Sequence, residues 1–126
     1  SKGNAAQAEQ FLMEEIRLHP PAVPARRTMV ELLAEQRRYE DQVTQLTAIQ
    51  KVERPNPLTL HSFAQALFNL KRFDEAAPMI DQCIKLDKRY PGCWMLKANV
   101  LQKQGQEKDA VAAYEQAMKL SKGPRP

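Results

Sequence analysis

Glycine is nearly missing from this chain: it occurs at Gly3, Gly92, Gly105 and Gly123 and nowhere else. Scattered in this way, the glycines cannot build the loop that cradles a phosphate against a helix N-terminus. Cysteine occurs twice, too few for a disulfide framework to stand in for a hydrophobic core. Aromatic residues make up 6% of the chain, and alternating runs of Val, Ile and Thr are hard to find, which disfavours β structure. No stretch of about 18 or more apolar residues exists, so no direct membrane insertion is expected. The start, Ser1-Lys2-Gly3-Asn4, has neither an initiator methionine nor a secretory leader and reads as an excised piece or a processed form.

What is present is 43% apolar and 27% charged, a globular balance over 126 residues, with nine prolines as the oddity. The net charge of +4 comes mainly from residues 91–126, which hold six bases against three acids. Elsewhere acids interleave with bases at helical spacing, the pattern of solvated faces. A nucleic-acid groove would need clustered Arg and Lys beside stacking aromatics, so no nucleic-acid partner is expected.

The chain repeats itself every 34 residues. Arg38-Tyr39-Glu40-Asp41-Gln42 aligns with Arg72-Phe73-Asp74-Glu75-Ala76 and then with Gln106-Glu107-Lys108-Asp109-Ala110. Leu33, Leu67 and Leu101 share a column, as do Ile49, Cys83 and Ala117. Three units are expected at 23–56, 57–90 and 91–124, preceded by a one-helix half unit at 1–22. Within the second unit, Leu60, Phe63, Ala64 and Leu67 keep helical spacing, and so do Ala76, Ile80, Cys83 and Ile84. Only a turn fits between them, so each unit is an antiparallel helix pair. Small residues at Ala64, Ala76, Ala98 and Ala110 mark the close approaches. Most prolines fall at the seams, where a missing N–H costs little, while Pro78 falls inside a helix and Pro124 and Pro126 in the tail.

These features resemble the tetratricopeptide repeat, most clearly in Trp94-x-x-Lys97-Ala98-x-x-Leu101 with Gly105, Ala110, Tyr114 and Ala117. The likeness covers about residues 4–122. Departures are Arg26 in the column of Trp94, Gln42 in the column of Ala76, and Lys71 where the third unit has Gly105. The resemblance implies an all-α, right-handed α-solenoid of antiparallel helix pairs, expected as a single domain cut from a longer protein. It also implies a groove lined by the first helix of each pair. The groove columns hold Arg27, Glu31, Ala34 and Glu35, then Leu58, His61, Gln65, Phe68 and Asn69, then Met95, Asn99, Gln102 and Lys103. Amides, charges and a few apolar side chains suit a peptide or partner segment.

Catalytic motifs are absent, and the chain is expected to be no enzyme and to need no cofactor. Cys83 reads as a core residue and Cys93 opens the next helix, with a bridge between them the lesser reading. Glu31, Glu35 and His61 could be imagined around a metal ion. The simpler reading makes Arg27, Glu31 and Glu35 surface charge pairs, with no metal site. The leading function is therefore a non-catalytic interaction module within a larger assembly. Two other readings stand beside it: a regulatory or targeting domain of a larger enzyme, and a scaffold that self-associates end to end through Val111, Met118 and Tyr114, with Phe11 exposed at the other end. The compartment stays open, since two cysteines suit the cytoplasm while a trimmed leader or anchor would allow a periplasmic or tethered chain.

Family members that dock chaperone tails use Lys, Asn and Arg at columns held here by Arg27, Glu31, Ser62, Gly92 and Leu96. Glu31 would repel a carboxylate there. A peptide ending in Glu-Glu-Val-Asp is therefore expected to show no micromolar affinity in fluorescence anisotropy, and such affinity would contradict this reading of the columns.

Overall fold

The computed structural model describes residues 2–122. Pro124 and Pro126 lie outside the described residues. All regular elements among the described residues are α-helices, gathered into two compact units, Ser1–Arg54 and Pro55–Pro126. The first unit contains α1 (Lys2–Leu18), α2 (Val23–Glu35) and α3 (Tyr39–Val52). The second contains α4 (Pro57–Asn69), α5 (Phe73–Leu86), α6 (Pro91–Lys103) and α7 (Glu107–Ser121).

In the first unit α2 packs against both α1 and α3. Leu12 of α1 meets Met29 and Leu33 of α2, with Ile16, Ala25 and Leu32 around them. In the second unit α4 pairs with α5 and α6 with α7, while α6 also touches α4 and α5. The alanines expected at close approaches are buried: Ala64, Ala76 and Ala98 are fully covered and Ala110 nearly so. Gln42 occupies the matching column of the first unit and is buried too. Its amide Nε2 donates to the Val30 carbonyl at 2.9 Å, which satisfies the polar group it takes inside. The bulkier side chain accompanies a sparser contact between α2 and α3 than between the helices of either later pair.

Local chemistry sets the helix ends. Pro57 and Pro91 open α4 and α6, where no N–H is needed. Asn56 caps α4 by accepting the Thr59 N–H at 2.9 Å. Pro78 sits inside α5 and forfeits one helical hydrogen bond. The turn within each helix pair reverses through one left-handed residue: Arg37 (φ 56°), Lys71 (φ 62°) and Gly105 (φ 80°), spaced as the repeat demands. The bonds recur with them. Arg38 N–H reaches Leu33 O at 2.9 Å, Arg72 N–H reaches Leu67 O at 2.8 Å, and Gln106 N–H reaches Leu101 O at 2.9 Å.

Arg26 also has an explanation. Trp94 Nε1 donates to Lys88 O at 2.9 Å, six residues back. Arg26 Nη2 makes the same reach to Pro20 O at 2.6 Å, and Nη1 goes on to Gln45 Oε1 at 2.8 Å. The column thus keeps a donor to the preceding loop although its bulk has changed.

One expectation fails. Cys83 and Cys93, read as unbridged, form a disulfide between the end of α5 and the start of α6. Counting residues along loop and helix overstated their distance. The turn folds α6 back along α5, leaving the Cα atoms 6.4 Å apart, within reach of a bridge. Both cysteines are fully buried and pack with Leu60, Met79, Ile84 and Tyr90.

Left-handed backbone costs a residue with a Cβ about 1 kcal/mol or more relative to glycine, part of which glycine returns as unfolded-chain entropy. Arg37→Gly is expected to raise, and Gly105→Ala to lower, unfolding stability by about 1 kcal/mol each in urea titrations. A loss of stability in Arg37→Gly would show that the arginine side chain, not the turn, dominates there.

Candidate interaction surface

Buried positions on α4 are Thr59, Leu60, Phe63, Ala64, Ala66 and Leu67, and on α6 Cys93, Leu96, Ala98 and Val100. The remaining angular sector of each helix carries the predicted groove residues in register: His61 with Met95, Gln65 with Asn99, Phe68 with Gln102, and Asn69 with Lys103. Since α4 and α6 touch, the second unit joins these columns into one face. Leu58 and Met95 put exposed apolar surface on it.

The side chains on this face are tied to the scaffold to different degrees. Tyr114 of α7 donates its hydroxyl to Asn99 Oδ1 at 2.5 Å and lies 3.1 Å from Gln102 Oε1. One predicted contact amide, Asn99, is thereby held by a residue whose contribution the 34-residue register alone did not reveal. Gln65 Nε2 donates to Asn69 Oδ1 at 3.2 Å, one turn along α4. Phe68 stands edge-on to Phe73 with ring centroids 5.3 Å apart. Together Phe68, Asn69, Lys71, Phe73 and Lys103 line a pocket of about 430 Å³.

His61 is half-buried, edge-on to Tyr90 at 5.6 Å between centroids. Gly92 lets this pair close up, because a Cβ there would lie 3.0 Å from Tyr90 Cε1 and 3.1 Å from His61 Nε2. On its other face α6 floors a separate hollow of about 590 Å³, where Trp94, Lys97 and Val100 meet Ile80 of α5 and Ala113 of α7. Lys97 Nζ stands 5.7 Å from the Trp94 ring centroid and 3.5 Å from Asp81 Oδ1.

In the first unit the expected charge pairs are replaced by another. Arg27 does not bond Glu31; its Nη2 holds both oxygens of Glu53, the longer contact being 2.9 Å. One guanidinium nitrogen of Arg27 thus meets both oxygens of a carboxylate at the end of α3 rather than a carboxylate one turn away on its own helix. Glu31, Ala34 and Glu35 stay exposed on α2. Among the described residues no group of three or more His, Cys, Asp or Glu is arranged to hold a metal ion.

Residues 35–117 match the family described as anaphase-promoting complex, cyclosome, subunit 3. The chain belongs to this family of tetratricopeptide-type repeats. No curated protein matches it in sequence. Solved structures match the chain in fold. A crystal structure of MamA superposes with a TM-score of 0.88 at 16% identity, covering 97% of this chain and 71% of that one. MamA residues 41 to the end from Desulfovibrio magneticus RS-1 give 0.88 at 13% identity, with 98% and 70% covered. MamA MSR-1 gives 0.83 at 19% identity, with 96% and 70% covered. Identities this low speak for the fold alone, and that fold is the α-solenoid of antiparallel helix pairs. With this family and fold, the chain is a protein-interaction repeat module. Among its described residues no helix is long and apolar enough to cross a membrane.

Burial holds the His61 imidazole below the ordinary histidine range. The unfolded chain, with an imidazole pKa of about 6.5, takes up the proton more readily. This contribution therefore leaves the native state undisturbed above that pH and destabilises it as pH falls toward the lowered native value. The urea midpoint is expected to drop between about pH 7 and about pH 5.5, and the drop is expected to flatten in His61→Gln. An unchanged slope in that variant would assign the effect to other groups.

Proposed function

We propose that the chain is a non-catalytic module that holds a peptide or partner segment against the first helices of its pairs, within a larger assembly. The observation carrying this reading is the α4–α6 face, where amides, a charge and exposed apolar side chains recur in register while their helix neighbours are buried. A face used only for solvation gains nothing from tying Asn99 to Tyr114. Held amides lose less freedom on binding, which favours a recognition role. In the first unit Arg27, Glu31 and Glu35 occupy the corresponding columns. Arg27 comes already neutralised by Glu53, so that helix offers mainly acceptors.

Exposed apolar surface on α7 favours a second reading. Val111 is 54% exposed and Met118 55%, one behind the other at helical spacing. Tyr114 is half-buried with its hydroxyl engaged on α6, so Val111 and Met118 would carry a self-associating patch.

Pull-down with the wild type is expected to retain partners that Phe68→Ala combined with Asn99→Ala loses, and unchanged partners would remove the face from the binding surface. Light scattering across a concentration series, repeated with Val111→Lys and Met118→Lys, separates self-association from partner binding. A monomer at every concentration ends the second reading.

A further inference from the structure

The pocket at the C-terminal end of the α4–α6 face combines an aromatic wall with two cations. Phe68 and Phe73 supply the wall, Lys71 comes from the turn after α4, and Lys103 ends α6. Neither lysine has an ion-pair partner among the described residues, and no carboxylate lines the pocket. Neither of the acids closest in sequence lines this pocket, and Glu75 is held by Arg72. Asp74 and Glu75 line a separate hollow with Lys71, Arg72 and Phe73. Arg72 holds Glu75 at 2.5 and 2.8 Å, and that contact keeps the Glu75 carboxyl below its usual range. Asn69 accepts from Gln65 through Oδ1, which leaves its amide N–H groups free to donate.

Two ammonium groups beside one apolar wall attract an anion that carries its own ring or chain. We propose that this pocket reads an acidic peptide segment in a partner protein, with an aromatic side chain set between carboxylates. The ring lies against Phe68 and Phe73, the carboxylates pair with Lys71 and Lys103, and the Asn69 amide donates to a backbone carbonyl. The proposal rests on the groove reading above and adds the partner's chemistry to it. It also differs from a tail-docking clamp, which would sit at the Arg27, Ser62 and Gly92 columns and needs no ring.

The test uses fluorescein-labelled peptides in anisotropy titrations of the whole chain, the first two amidated and the third with its terminal carboxylate free. One peptide contains Asp-Phe-Asp between glycines, a second Lys-Phe-Lys, and a third ends in Glu-Glu-Val-Asp. The acidic aromatic peptide is expected to bind, and to bind about tenfold more weakly to Lys71→Glu combined with Lys103→Glu. Its affinity is expected to fall with added salt, and the Lys-Phe-Lys peptide is expected to prefer the reversed variant. Both lysines are exposed, so the variant should fold, and circular dichroism checks that it does.

Equal binding of all three peptides by the wild type, or indifference to the charge reversal, overturns the proposal. So does tight binding of the Glu-Glu-Val-Asp peptide with the same loss on reversal, because the pocket would then read charge without a ring. If no peptide binds up to about 1 mM, the pocket assignment falls. The Phe68→Ala and Asn99→Ala pull-down still decides the groove reading separately.

Discussion

Ala76 and Ala110 stand where the helices of a pair meet, and a methyl group is what allows two backbones to lie against each other there. Every other packing relation in the second unit follows from that closeness. Leu60, Leu67, Ile80 and Leu96 are fully covered because their helices can come near enough to share a core. The first unit departs from this rule at Gln42. An amide long enough to cross the interface takes the place of a methyl and finds a carbonyl on the far helix. The outcome is a looser pair with its polar group still satisfied, a compromise that a hydrocarbon of the same length would not provide.

The same economy governs what remains outside the core. Each first helix spends about half of its circumference on packing, and the positions left over come back every 34 residues in the same orientation. Side chains there vary in chemistry more freely than those inside, because few of them are buried. That freedom lets His61 and Met95, or Asn69 and Lys103, occupy one column without disturbing either pair. Where a column does carry a structural contact, the contact survives a change of residue type. Arg26 and Trp94 share neither shape nor charge, yet both deliver an N–H to the carbonyl six residues back.

Much of this was legible in the sequence. The period, the helix pairs, the alanine contacts and the prolines at the seams all follow from local spacing, which one chain displays directly. The left-handed residue was legible at Gly105 but hidden at Arg37 and Lys71, because long cationic side chains do not advertise a positive φ. Contacts that depend on reach between elements were the least readable. Helical spacing pairs Arg27 with its own helix, whereas its partner is Glu53 at the end of α3. Tyr114 reads as an exposed apolar residue from its spacing, whereas its hydroxyl holds Asn99 across the pair. The cysteine bridge was misjudged for the same reason, since separation along the chain says little about separation across a tight reversal. Phe68, Asn69 and Lys103 were singled out from their columns, whereas Phe73 and Lys71 joined the pocket only through the turn that brings α5 back beside α4.

The sulfur bridge between α5 and α6 also changes how the second unit would carry load. Its residues 84–92 form a covalent ring, closed at Cys83 and Cys93, around the linker that joins two repeats. If this chain is stretched by whatever it is attached to, tension passes from one helix to the next through sulfur, and the linker inside the ring stays slack. The seam that looks weakest in a stacked array is then the one that cannot be pulled open, so mechanical unravelling has to begin elsewhere.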